Sequence, residues 1–323
     1  GNGQSAIVHT TLWSLVECFP ASEASSVTVS GNVYNNGTTN ALTECDTDGG
    51  TFELSLRASD TTYTASCDDA TGAFSFADVT ASLAGSSTII WINDQTPDGA
   101  LVLRYDGGGD STGLVFWDDA VTVTSDDATP ATNINLDEYD SGGDADIPYT
   151  VTSGDLTVND GVELIVTSGK TFTPGGTITT SPAGVPGSAD GDVQIESTAV
   201  LDMEANALSI GGDFNNEGTL THTGTTTFAA TSTGFVATSS TFHNVDFNGS
   251  GGGWTFGTST TISGDLAVST GTLSGITDLT VNGSDIGTST ITLTGGTFTQ
   301  AVSTDETFGA TSGSSNWTFS NLT

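Results

Sequence analysis

The side chains with the clearest chemical potential are carboxylates. The run Asp137-Glu138-Tyr139-Asp140-Ser141-Gly142-Gly143-Asp144-Ala145-Asp146 places five of them within ten residues. Oxygen-only ligands on a glycine-rich loop are what Ca²⁺ takes, so Asp137, Asp140, Asp144 and Asp146 are the candidate metal ligands. Their spacing departs from that of an EF-hand loop, and a solvated acidic linker is the competing reading. The pairs Asp46/Asp48 and Asp190/Asp192 are weaker candidates of the same kind. Cys45 and Cys67 lie on successive β-type segments and would meet across an antiparallel pair, as a disulfide or as two buried thiols. Cys18 is left over, either buried or pairing between molecules. His9, His222 and His243 are scattered, and there is no Cys-x-x-Cys, which speaks against structural zinc. No nucleophile elbow accompanies any histidine, and no catalytic residue is expected. Asn36, Asn248, Asn282, Asn316 and Asn321 each open an Asn-x-Ser/Thr sequon and are the candidate glycan acceptors.

The surroundings of these groups narrow the function. In 323 residues, 3 Lys+Arg stand against 39 Asp+Glu, a net charge of −36. Phosphate neutralisation needs clustered cations, so nucleic acid is excluded as a partner, and docking on anionic lipid is disfavoured. With 35% hydrophobic residues and 15 Phe, the chain can bury a core and is expected to be ordered. Its 42 Gly and abundant Thr and Ser suit an extracellular β protein, where Thr occupies half-exposed strand faces. A trypsin-like protease would find only Arg57, Arg104 and Lys170. Neither a signal peptide nor a membrane span is recognisable, and a chain starting at Gly1 reads as a processed mature form.

The elements that would position these residues are all β. Residues 1–24 form an extension whose apolar stretch includes Ile7, Val8, Leu12, Trp13, Leu15 and Val16. It is read either as a terminal strand or helix packed on its own domain, or as a strand donated to a neighbouring molecule. Residues 25–127 alternate as a β-sandwich of the prealbumin or immunoglobulin-like kind, with Ile89 to Ile92 as a strand buried on both faces. Residues 128–150 are the acidic connector, and residues 151–323 a β-solenoid. The phrase Gly-Asp-apolar recurs there at Gly154, Gly191, Gly212 and Gly264, each time before β-type residues. A longer echo relates Phe228-Ala229-Ala230-Thr231-Ser232 to Phe308-Gly309-Ala310-Thr311-Ser312, and Thr241-Phe242 to Thr318-Phe319. Trp254-Thr255-Phe256 and Trp317-Thr318-Phe319 share a phrase in a different register.

Two resemblances follow from particular residues. Val29-Ser30-Gly31-Asn32-Val33-Tyr34, with Asp69-Ala70-Thr71-Gly72-Ala73-Phe74-Ser75-Phe76, resembles the carboxypeptidase-regulatory-like or collagen-adhesin B-type sandwich. That resemblance implies a stalk or spacer on a secreted protein. The isopeptide found in many such adhesins needs a lysine, and the only one here, Lys170, lies outside the sandwich. A Cys45–Cys67 bridge would be the substitute staple. Gly249-Ser250-Gly251-Gly252-Gly253-Trp254-Thr255-Phe256, followed by Ile262-Ser263-Gly264-Asp265-Leu266, resembles the Gly/Thr/Ser-rich β-solenoid repeats of large bacterial surface and filament proteins. The expectation is an extracellular, non-catalytic structural protein of the cell surface, assembling with itself head to tail, without cofactor unless Ca²⁺. The alternatives are a cell-anchored adhesin or stalk binding glycan or protein, and a polysaccharide-active β-helix enzyme. Such an enzyme would set acids with Arg or Lys in a groove, and no basic residue follows Lys170.

Overall fold

The computed structural model describes residues 26–323 except 43–44, 46–51, 183, 187–188, 240, 302–307 and 311–316. Ile7, Val8, Leu12, Trp13, Leu15, Val16 and Cys18 therefore lie outside the described residues, as do Asp46, Asp48 and Asn316. The fold is all-β. Eight strands come first: β1 (Ser26–Tyr34), β2 (Glu53–Ala58), β3 (Thr61–Ala65), β4 (Ala73–Thr80), β5 (Ser87–Asn93), β6 (Ala100–Arg104), β7 (Ser111–Trp117) and β8 (Ala120–Ser125). β1 lies between antiparallel β4 and parallel β7. A second sheet runs β3-β2-β5-β6 antiparallel and then adds β8 parallel to β6. Period-two alternation sends successive side chains to opposite faces. One buried cluster gathers Val29, Val33, Phe74, Phe76 and Phe116 from the first sheet with Leu54, Leu56, Ile90, Ile92, Leu101 and Leu103 from the second. Cys45 and Cys67 join this cluster and are bonded as a disulfide, with Cα atoms 5.4 Å apart.

The other residues of β5, β6 and β8 belong to a different cluster. Ile89, Trp91, Ala100, Val102, Val121 and Val123 share a continuous core with the rest of the chain. The run Ile89–Ile92 is thus buried on both faces. Sheet and core both cross residue 127, where the sequence places the end of the first domain, because β8 pairs in parallel with Glu163–Val166. The connector is no solvated linker. Its short helix α1 (Asn133–Asp137) and the segment after it lay Leu136, Tyr139, Ile147 and Tyr149 onto that core.

The remainder is a β-solenoid of about nine turns, built on three parallel ladders. The first ladder starts with β8 and continues through Glu163–Val166, Val193–Ile195, Phe214–Asn216 and Thr233–Ala237. It passes through the second halves of Asn244–Phe256 and Leu266–Gly275 to Thr290–Leu293 and Trp317–Phe319. The second ladder runs from Asp155–Val158 through Ile178–Thr180, Leu208–Ile210 and Thr225–Phe228. It then takes the first halves of the same two long strands, Asp285–Gly287 and Phe308–Ala310. The third holds Thr171–Phe172, Val200–Glu204 and Thr219–His222, then, after a break, Thr241–Phe242, Thr260–Ile262, Leu279–Val281 and Phe298–Gln300.

These ladders correct the repeat register. Trp254 stacks over Leu273, Ile291 and Trp317, so the two Trp-Thr-Phe phrases occupy one column of the first ladder. Thr241-Phe242 is on the third ladder and Thr318-Phe319 on the first, so that echo relates different faces. Phe308 shares the second ladder with Phe228 but is two positions out of column, pairing with Asp285. Coil length varies, with 18 residues from Leu208 to Thr226 and 30 from Ile178 to Leu208. A fixed offset in sequence therefore does not map onto a fixed place in the stack.

Candidate functional site

The Gly-Asp phrase is a coil-corner device. At each corner the aspartate carboxylate accepts a backbone N–H from the following coil. Asp155 accepts from Thr177 (2.8 Å), Asp192 from Asp213 (2.6 Å), Asp213 from Val236 (2.5 Å) and Asp265 from Ser284 (2.8 Å). Asn244 does the same for the N–H of Asp265 at 2.9 Å. A corner breaks the ladder and leaves donors to be satisfied, and the short acidic side chain supplies the acceptor. At pH 5, where buried Asp285 keeps its proton, Asp265→Ala is expected to lose about 1 kcal/mol of stability in denaturant titration, the worth of one such bond, while Asp265→Asn, which keeps the acceptor, loses less.

Burial of acids near the first coils has a different consequence. Glu163 is buried at the start of the second rung of the first ladder, and its pKa is pushed up to about 7, mainly by desolvation. Asp192, one coil on, is raised to about 8 by the same cause, with the charges of Asp213, Glu163 and Asp190 adding to it. Glu163 accepts a hydrogen bond from Asn36 Nδ2 at 3.2 Å. Asn36 Nδ2 also donates to the Asp118 carbonyl at 3.3 Å, and its N–H donates to the Asp118 carboxylate. The Glu163 N–H donates to the Asp119 carbonyl. The turn after β1 is thereby latched to the solenoid. Two cavities at this junction share Trp117 in their lining. One, of about 520 Å³, lies among the 37–40 turn, Glu163, Ile165 and Gln194. The other, of about 330 Å³, lies among residues 112–115, 124–126, Thr167, Ser168, Lys170 and Glu196.

The other candidates are dispersed. Asp140 accepts N–H groups from Gly142 and Val151, Asp144 from Asp146, and Asp146 from Asp94. Asp137 is exposed at the end of α1. Among the described residues no three His, Cys, Asp or Glu side chains gather as a metal site would require. Asp190 spends one oxygen on the Gly161 N–H. His222 and His243, scattered in sequence, line one cavity of about 310 Å³ with Ser263, beside the break in the third ladder. His222 Nε2 bonds the Asn206 carbonyl and His243 Nδ1 bonds Ser263, with no carboxylate among these contacts. Of the sequons, the Asn36 amide is engaged as described, while Asn248, Asn282 and Asn321 are exposed. The Trp117 junction escaped the sequence reading because its parts are more than a hundred residues apart at the extreme, as in the Asn36–Glu163 bond. No protein-family model, curated protein or solved structure matches the chain, so neither resemblance gains support from that side.

Proposed function

We propose that the chain is an extracellular structural protein, a non-catalytic subunit of a self-assembling surface filament with head-to-tail β-strand contacts. The first eight strands are read as a sandwich-type head, and the solenoid as the rod. What supports the reading is the in-register stack of parallel rungs, in which each coil presents unpaired N–H and C=O groups to the next. Phe308–Ala310 and Trp317–Phe319 pair with the preceding coil and, among the described residues, with no later strand. Phe308 is exposed there, whereas on the third ladder Phe298–Gln300 is already covered by residues 321–323. The apolar segment around Ile7, Val8, Leu12, Trp13, Leu15 and Val16 is the donor strand that would pair on these rungs. The disulfide fits an oxidising, extracellular setting. Among the described residues no helix is long and apolar enough to cross a membrane, and the net charge of −36 weighs against a nucleic-acid partner on electrostatic grounds.

Deleting residues 1–20 tests the donor. The truncated chain is expected to stay folded and monomeric in sedimentation under conditions where the full chain polymerises; polymers of the truncated chain would refute strand donation. A second reading, a cell-anchored stalk or adhesin, is favoured by the cavities beside Trp117, which a pure rod does not need.

A further inference from the structure

The geometry points to a binding site for a neutral oligosaccharide chain running across Trp117, where the head overhangs the outer face of the first ladder. Trp117 ends β7, and its indole Nε1–H donates to the Thr38 carbonyl at 2.9 Å, so the ring is held at one edge and half-buried. It lines both cavities. The 37–40 turn that holds it is itself fixed: Thr38 donates its N–H and its hydroxyl to the Asn35 carbonyl, and the Asn35 amide donates to the Ala41 carbonyl. An indole with its N–H satisfied offers an apolar face on a polar floor, which suits the C–H face of a pyranose ring.

The remaining lining matches sugar hydroxyls. On one side stand Thr38, Asn40, Gln194 and the buried carboxyl of Glu163. On the other stand Thr124, Thr167, Ser168 and Glu196. Carboxamides and carboxyls that accept and donate in one plane are what vicinal hydroxyls pair with, and a few such groups fix orientation in a mostly preformed site. Gln194 reaches the site because it is the outward residue between Val193 and Ile195, whose side chains are in the core. The charge excludes acidic sugars: Glu196 and Asp126 outnumber Lys170, the one Lys or Arg in the lining, inside a chain of charge −36. Two cavities that share one aromatic residue call for a chain of several sugars rather than a single residue. The site holds whether the rod forms filaments or stands alone.

The test is titration of the full chain with hexasaccharides of the cello, xylo, manno and chito series, read by calorimetry and by the Trp117 indole N–H resonance. At least one series is expected to bind and to shift that resonance. Trp117→Ala should weaken binding about tenfold or more, Trp117→Phe should retain most of it, and Gln194→Ala should weaken it about tenfold while leaving the melting temperature unchanged. Absence of binding in all four series, or binding that Trp117→Ala and Gln194→Ala leave intact, overturns the proposal.

Discussion

Replacing Phe247 by alanine is expected to lower the stability of the chain by about 3–5 kcal/mol, the range for removing a fully buried aromatic ring. Phe247 is fully buried, and its ring stacks on Phe228 with centroids 5.0 Å apart and planes 14° from parallel. It also meets Trp254 at 5.5 Å and Phe256 at 5.8 Å. Phe228 belongs to the preceding coil, whereas Trp254 and Phe256 lie on the same strand as Phe247, so the cavity would open at the Phe228–Phe247 contact where coil holds coil, and in a stack each coil is supported only by its neighbours. Guanidinium unfolding followed by near-ultraviolet dichroism measures the change. A loss below about 1 kcal/mol would mean that this aromatic column does not hold the coils together.

Stability is expected to fall as pH rises from 5 to 9, and Asp285→Leu is expected to remove much of that fall. Asp285 is fully buried, and neither carboxylate oxygen has a hydrogen-bond partner. Its column runs Thr226, Val245, Leu266, Asp285, Phe308, so an acid occupies a position that is apolar in its neighbours on both sides. Desolvation, aided by the charge of Asp265, raises its pKa to about 7. The folded carboxyl therefore holds its proton more tightly than the unfolded one. Its contribution is fully present below the unfolded pKa near 4 and is lost as pH passes through about 7, with a ceiling of about 4 kcal/mol. Glu163 and Asp192, raised for the same reason, act in the same direction up to about 7 and 8. General repulsion in a chain of charge −36 also grows with pH, so the difference between wild type and Asp285→Leu isolates this residue. Leu266 and Val245 show that the column accepts an aliphatic side chain. Thermal melts across pH 5–9 that run parallel for the two proteins would sink the assignment.

Local pattern carried the strands into view, and contact between distant residues did not. Alternation in Leu54 and Leu56, in Phe74 and Phe76 and in Leu208 and Ile210 marks one buried face each, which is why the all-β class and the solenoid were readable. The Gly-Asp phrase was readable as punctuation, though its chemistry, an acceptor for the next coil, needed the stack. Gly249 to Gly253 belong to the phrase that resembles solenoid repeats, but their place in the coil was not readable. They form the bend of one continuous strand, Asn244–Phe256, that serves two ladders. A Cβ on Gly252 would meet the Trp254 ring at 2.6 Å, so the glycines make room for that indole. Asp285 was invisible as a core residue because Gly283-Ser284-Asp285 has the composition of a turn. The connector misled for the same reason: its acids lie outward or cap turns, while Leu136, Tyr139 and Tyr149 between them enter the core.

In the proposed filament, coil stacking continues from one molecule to the next, with the solenoid axis as the filament axis. Electron microscopy and fibre diffraction of the purified native protein test it together. Regular fibres with an axial repeat of about 4.8 Å, the spacing of adjacent strands, are the expected result. Isolated rods at every concentration, or fibres without that axial repeat, would contradict it.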